Sequence, residues 1–158
     1  MTFVRLSLVS TFFAVAITSS AAPAFACPHL EGRWHCSYSN SQPDQDILLT
    51  QAEIPNGVLY TLKTAGGNTY LFYVDSAART KTDHQRFKYT TTYACIGDTG
   101  FSEVQTISTN VPDFSGDSTG LYSLADETTF NGQETTTYHI HGSPDLKGSV
   151  TYFSCRKK

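Results

Sequence analysis

From Leu30 to Cys155 polar and apolar side chains alternate with a period of two, interrupted by turn residues about every 8–12 positions. The first segment shows this most clearly. Leu30, Gly32, Trp34, Cys36 and Tyr38 fall on one face, and Glu31, Arg33, His35 and Ser37 fall on the other, the signature of a strand with one buried and one wet side. Further segments follow at Asp46–Ile54, Val58–Lys63 and Tyr70–Asp75, with Pro55-Asn56-Gly57 and Ala65-Gly66-Gly67-Asn68 as turns. In His84–Ile96, Phe87, Tyr89, Thr91, Tyr93 and Cys95 share a face, while Arg86, Lys88, Thr90 and Thr92 share the opposite one. Gly97–Gly100 turns into Phe101–Ser108, and Asn110–Thr119 reads as a loop by composition. Asn131-Gly132 predicts a hairpin between Gly120–Phe130 and Gln133–His141, and Gly142–Asp145 leads to a final strand at Ser149–Cys155. No stretch has sustained helical periodicity.

Nine strand candidates in simple succession leave two sheet edges open unless the sheet closes on itself. A purely antiparallel closed barrel needs an even number of strands, so one candidate drops out or two merge near Phe101–Ala125. The expected fold is therefore all-β: a single antiparallel up-and-down barrel of about eight strands. Four cysteines, Cys27, Cys36, Cys95 and Cys155, allow three disulfide connectivities. With eight strands the first and last run in opposite directions. If the discarded strand lies after residue 96, the implied pairs are Cys27–Cys155 and Cys36–Cys95.

The cysteines also bear on compartment, because ahead of them stands a leader. In residues 1–26 Arg5 is the only charge, Leu6–Ile17 is mostly apolar, and Ala24-Phe25-Ala26 ends in a small-x-small cleavage pattern. The expected organisation is a signal peptide at 1–26 and a disulfide-stabilised barrel domain at 27–158, secreted or periplasmic. Cys27 directly after the cut leaves open a lipid anchor as in bacterial lipoproteins, although the bulky Phe25 and the odd number of thiols it would leave argue for a disulfide. The leader is too short to span a bilayer, and no transmembrane segment follows. Without Arg5 the chain has 10 basic and 14 acidic residues and no basic stripe beyond Arg156-Lys157-Lys158, which argues against nucleic acid as a partner.

Candidate chemistry is sparse. Leu30-Glu31-Gly32-Arg33-Trp34 resembles the Gly-x-Trp signature on the first strand of lipocalins and related calycin barrels, which include avidin-type proteins and bacterial barrel inhibitors of proteases. The resemblance implies that Gly32 and Trp34 close one barrel end against a basic residue of the last strand, here Arg156. An eight-strand barrel is either filled by its side chains or holds one small ligand. The aromatics expected to face inward are Tyr38, Tyr60, Tyr70, Phe72, Phe87, Tyr89, Tyr93 and Tyr138, and either a packed core or a ligand cavity accommodates them. His139 and His141 share a face, but it is the solvent side, and His35 lies too far round the barrel to join them on one ion, so no metal site is expected. No nucleophile elbow, zinc-protease motif or phosphate loop is present, and Asp126 and Glu127 point to opposite faces, so neither an enzyme nor a cofactor is expected. Two functions remain: a lipocalin-like barrel binding a small apolar or amphipathic ligand, or a protein-binding barrel such as an inhibitor of an extracellular hydrolase. The second would work through the Asn110–Thr119 loop or an arm stiffened by Pro28.

Overall fold

The alternation nearest the N-terminus becomes strand β1 (Gly32–Tyr38), in which Trp34 and Cys36 are buried and Arg33, His35 and Ser37 face solvent. The computed structural model describes residues 26–40, 42–83, 87–109 and 114–158. The expected leader, apart from Ala26, lies outside the described residues, as do His84, Arg86, Asn110, Pro112 and Asp113.

After β1 come β2 (Gln45–Ile54), β3 (Gly57–Thr64), β4 (Thr69–Val74), β5 (Arg79–Thr82), β6 (Lys88–Ile96), β7 (Gly100–Ser108), β8 (Phe114–Asp126), β9 (Thr129–Ile140) and β10 (Leu146–Lys157). Among the described residues these ten strands form one sheet in the order β4-β3-β2-β1-β10-β9-β8-β7-β6-β5, with antiparallel neighbours throughout. One parallel bridge, Val74 to Tyr93, joins β4 to β6 and closes the sheet into a barrel. The Ser76 amide supports that junction by donating to the Tyr93 carbonyl at 2.9 Å.

The fold is thus the expected all-β barrel, with the strand count and the purely antiparallel closure corrected. The ring comprises every strand except β5, which pairs with the first half of the β6 edge that β4 reaches at Tyr93. The even-number rule applies only when every junction is antiparallel, and one parallel junction lifts it. β5 escaped the sequence reading because Arg79-Thr80-Lys81-Thr82 is exposed at every position and has no apolar alternation.

The missed strand also explains a second correction. The disulfides are Cys27–Cys95 and Cys36–Cys155, not Cys27–Cys155 and Cys36–Cys95. An extra strand before β6 reverses the direction of β6, which carries Cys95 to the barrel end where the chain enters β1. Cys155 is not at a strand end but two residues inside it, directly opposite Cys36 in the β1–β10 ladder.

Two turn assignments also change. The β8–β9 turn falls at Glu127 and Thr128, where the Asp126 carboxylate accepts from the Thr128 amide and hydroxyl, both at 2.7 Å. Asn131 and Gly132 lie inside β9 instead. There Gly132 serves close approach: a Cβ at this position would fall 2.2 Å from the Phe153 ring. Phe114–Thr119, expected as loop, is the first half of β8. The Ile54–Gly57 turn is where it was expected, with Asn56 at φ 68°.

Candidate functional site

One end of the barrel is sealed by the segment before β1. Cys27 anchors it to β6, and Pro28 and Leu30 are buried. The Tyr60 hydroxyl donates to the Pro28 carbonyl, the Leu30 amide donates to Gln51 Oε1 at 3.2 Å, and Trp34 Nε1 donates to the Leu30 carbonyl at 2.9 Å. Trp34 is 0% exposed, so its one polar atom needs that partner. The basic residue over the indole is Lys157, its Nζ 5.5 Å from the ring centroid. Arg156, the residue expected there, is out of phase: it pairs with His35 and is exposed, while Lys157 pairs with Trp34. Gly32 has φ 141°, and a Cβ there would meet the Lys157 stem at 2.8 Å, so glycine serves both the backbone and the lysine.

Above this seal the interior is not filled. A cavity of about 270 Å³ is floored by Leu30, Tyr60, Phe101, Phe130 and the Cys36–Cys155 pair, and walled by Tyr38, Ile47, Leu49, Leu62, Phe72 and Phe153. Its polar lining includes Asn40, Gln42, Tyr122, Glu134 and Thr151. A shallower hollow of about 570 Å³ adjoins it, sharing Gln42, Leu62, Phe72 and Glu134 and adding Tyr70, Gln45 and Asn68.

The eight aromatics singled out from the sequence divide into three groups. Tyr38, Tyr60 and Phe72 line the cavity. Tyr93 backs it, edge-on to Phe72 at 5.6 Å and to Phe101 at 6.3 Å, and Tyr70, 50% exposed, stands at the adjoining hollow. Phe87, Tyr89 and Tyr138 do not reach the cavity. Phe87 meets Phe114 at 6.5 Å and Tyr89 at 6.4 Å, and Tyr138 stacks on Phe114 at 5.7 Å, forming a separate half-buried cluster.

The rings missed from the sequence are those of the second half. Phe101 stacks on Tyr122 at 4.7 Å and on Tyr60 at 5.6 Å, and Phe153 contacts Tyr38, Tyr122 and Phe130 at 5.8–5.9 Å. The alternation Phe101-Glu103-Gln105-Ile107 contained the signal. In β9 the misplaced turn broke the run Phe130-Gly132-Glu134-Thr136 and hid its phase.

Two carboxylates stand beside this interior, Glu134 exposed at its edge and Glu103 half-buried beyond it. Tyr93, Glu103, Gly120, Glu134 and Thr151 face one another in turn across β6 to β10. Gly120 leaves room for the ring of Tyr122, since a Cβ there would lie 2.7 Å from it. The Tyr122 hydroxyl reaches between the flanking acids, 2.6 Å from Glu103 Oε2 and 2.7 Å from Glu134 Oε1. Burial raises the pKa of Glu103, opposed by hydrogen bonds from Tyr122 and Tyr93 and reinforced by the nearby Glu134 charge. Burial likewise raises Tyr122, reinforced by both glutamates. Among the described residues no Lys, Arg or His nitrogen pairs with either carboxylate.

On the outer surface His139 has carboxylates at both ring nitrogens: Asp145 at 2.9 Å from Nδ1 and Asp117 at 2.9 Å from Nε2. These contacts raise its pKa, the Asp145 hydrogen bond most. His35 meets Asp46 at 2.8 Å. Among the described residues no helix is long and apolar enough to cross a membrane. No established protein-family profile and no curated protein matches the sequence.

Proposed function

We propose that this protein is a lipocalin-like carrier, secreted or periplasmic, that holds one small apolar or amphipathic molecule in its barrel. The observation behind this reading is the cavity of about 270 Å³, walled by rings and aliphatic side chains and edged by a few polar groups. It falls just under the roughly 300–1,000 Å³ of pockets that take drug-sized ligands, which favours a compact guest of one or two rings or a short alkyl chain. The pair of disulfides fits export to an oxidising compartment, in keeping with cleavage of residues 1–26. The competing inhibitor reading has less to rest on, since half of its expected contact loop is β8 ladder.

Fluorescence titration of the 27–158 chain with 2-naphthol tests the proposal. Binding at one site per chain is expected, and Leu62→Trp, which pushes an indole into the cavity, should abolish it while the fold persists by circular dichroism. Failure of 2-naphthol to bind, or binding indifferent to Leu62→Trp, would overturn the reading.

A further inference from the structure

The cavity is apolar on most sides, yet the solvent-exposed carboxylate of Glu134 stands at its edge, with half-buried Glu103 beyond it. A carboxylate at the edge of an apolar cavity favours a guest that brings it a cation, since a hydrogen bond between charged groups is stronger than one between neutral groups. Glu134 lines both the cavity and the adjoining hollow, and Glu103 stands across Gly120 from it. Tyr122 alone does not serve both acids, since a phenol has one proton and carboxylate oxygens sit at 2.6 and 2.7 Å from its oxygen, while Tyr93 offers Glu103 a second hydrogen bond. With both acids ionised one of these short contacts has no proton in it. Among the described residues no Lys, Arg or His pairs with Glu134, so the carboxylate at the cavity edge has no counterion within the protein.

Building on the carrier reading, we infer that the cavity takes an organic amine, a small aromatic or alkyl ammonium whose charged head lies on Glu134 beside Tyr122 and whose apolar body enters among Tyr60, Phe72, Phe101 and Phe130. The ammonium donates to Glu134, and its charge offsets the two acids. The ring faces around it add attraction, since aromatic quadrupoles favour cations. A neutral guest leaves the acids as they were, and an anionic guest is repelled by them. A bare metal ion fits poorly, because it wants several oxygen ligands and most of this lining is carbon.

Three probes of matched shape and different charge provide the test: 2-phenylethylamine, 2-phenylethanol and phenylacetate, titrated calorimetrically at neutral pH. A charge-assisted hydrogen bond should favour the amine over the alcohol by roughly 10- to 100-fold, with phenylacetate weakest. Glu134→Gln should bring amine and alcohol to near parity, and Tyr122→Phe, which keeps both acids and the ring, should retain the preference. Should Glu134→Gln compromise folding, Glu103→Gln gives a second reading, with a reduced but not abolished preference. An alcohol that binds as tightly as the amine, or an amine preference that survives Glu103→Gln/Glu134→Gln, would sink the amine inference while leaving the carrier reading intact. Failure of all three probes together with 2-naphthol would sink both.

Discussion

At the scale of single residues, side chains are decided by phase along a strand. Lys157 lies over Trp34 because it faces that residue in the ladder, and Arg156 faces His35. Lys157→Met, which keeps the stem and removes the charge, should cost about 0.5–1 kcal/mol in urea unfolding, while Arg156→Met should stay within about 0.5 kcal/mol. Equal effects would argue that the contact with the indole has no weight. His139 gives a pH prediction. Its raised folded-state pKa means that the protonated ring stabilises the fold. That contribution is whole below the ordinary value of 6.5 and disappears as pH rises through the raised value. Wild type should therefore lead His139→Gln in melting temperature near pH 5.5 and lose that lead by pH 9. A difference that stays constant over this range would refute the ion pairs. The sequence showed His139 facing out; it did not show Asp117 and Asp145, which only the β8–β9 register and the turn before β10 bring to it.

At the scale of elements, the N-terminal half was legible because its apolar residues alternate cleanly between strong turns. β1 to β4 fall almost where the pattern puts them. The second half was obscured by residues whose usual meaning is overridden by packing. Gly132 follows Asn131, the commonest hairpin pair, yet it belongs to a strand interior because the Phe153 ring occupies the space above it. Gly132→Ala should destabilise by about 1–3 kcal/mol, because Phe153 is held by Tyr38, Tyr122 and Phe130 and has little freedom to withdraw. Phe153→Leu should absorb much of that cost when the two are combined, and a strictly additive double mutant would show that the ring is not what the glycine serves. The candidate site suffered from the same error. Glu134 is two residues beyond Gly132, so a turn placed at Gly132 hides that Phe130, Gly132 and Glu134 share one face. The cavity itself was not legible, since its volume depends on where rings such as Phe101 and Phe153 settle.

For the whole molecule, the unusual feature is how the cylinder closes. Each consecutive pair in the sheet order is joined by a ladder, but β4 and β6 share one bridge, because β5 takes the rest of that edge. The Cys27–Cys95 disulfide lies at this seam, with Cys95 Sγ near the Val74 carbonyl at 4.0 Å. Cys27→Ser/Cys95→Ser should lower stability by about 2–4 kcal/mol. It should also speed hydrogen exchange at the Ser76 amide and in the segment from Pro28 to Leu30 more than in the β8–β9 ladder. Uniform loss of protection would mean that the bond acts on the unfolded chain alone.

A wall with one thin joint gives way there before it gives way elsewhere. On warming, the protein should therefore unroll from a tube to an open ribbon, and only afterwards lose its strands. Any guest lodged in the lumen would be released at that early step, and a guest that grips both sides of the joint would in turn hold the tube shut.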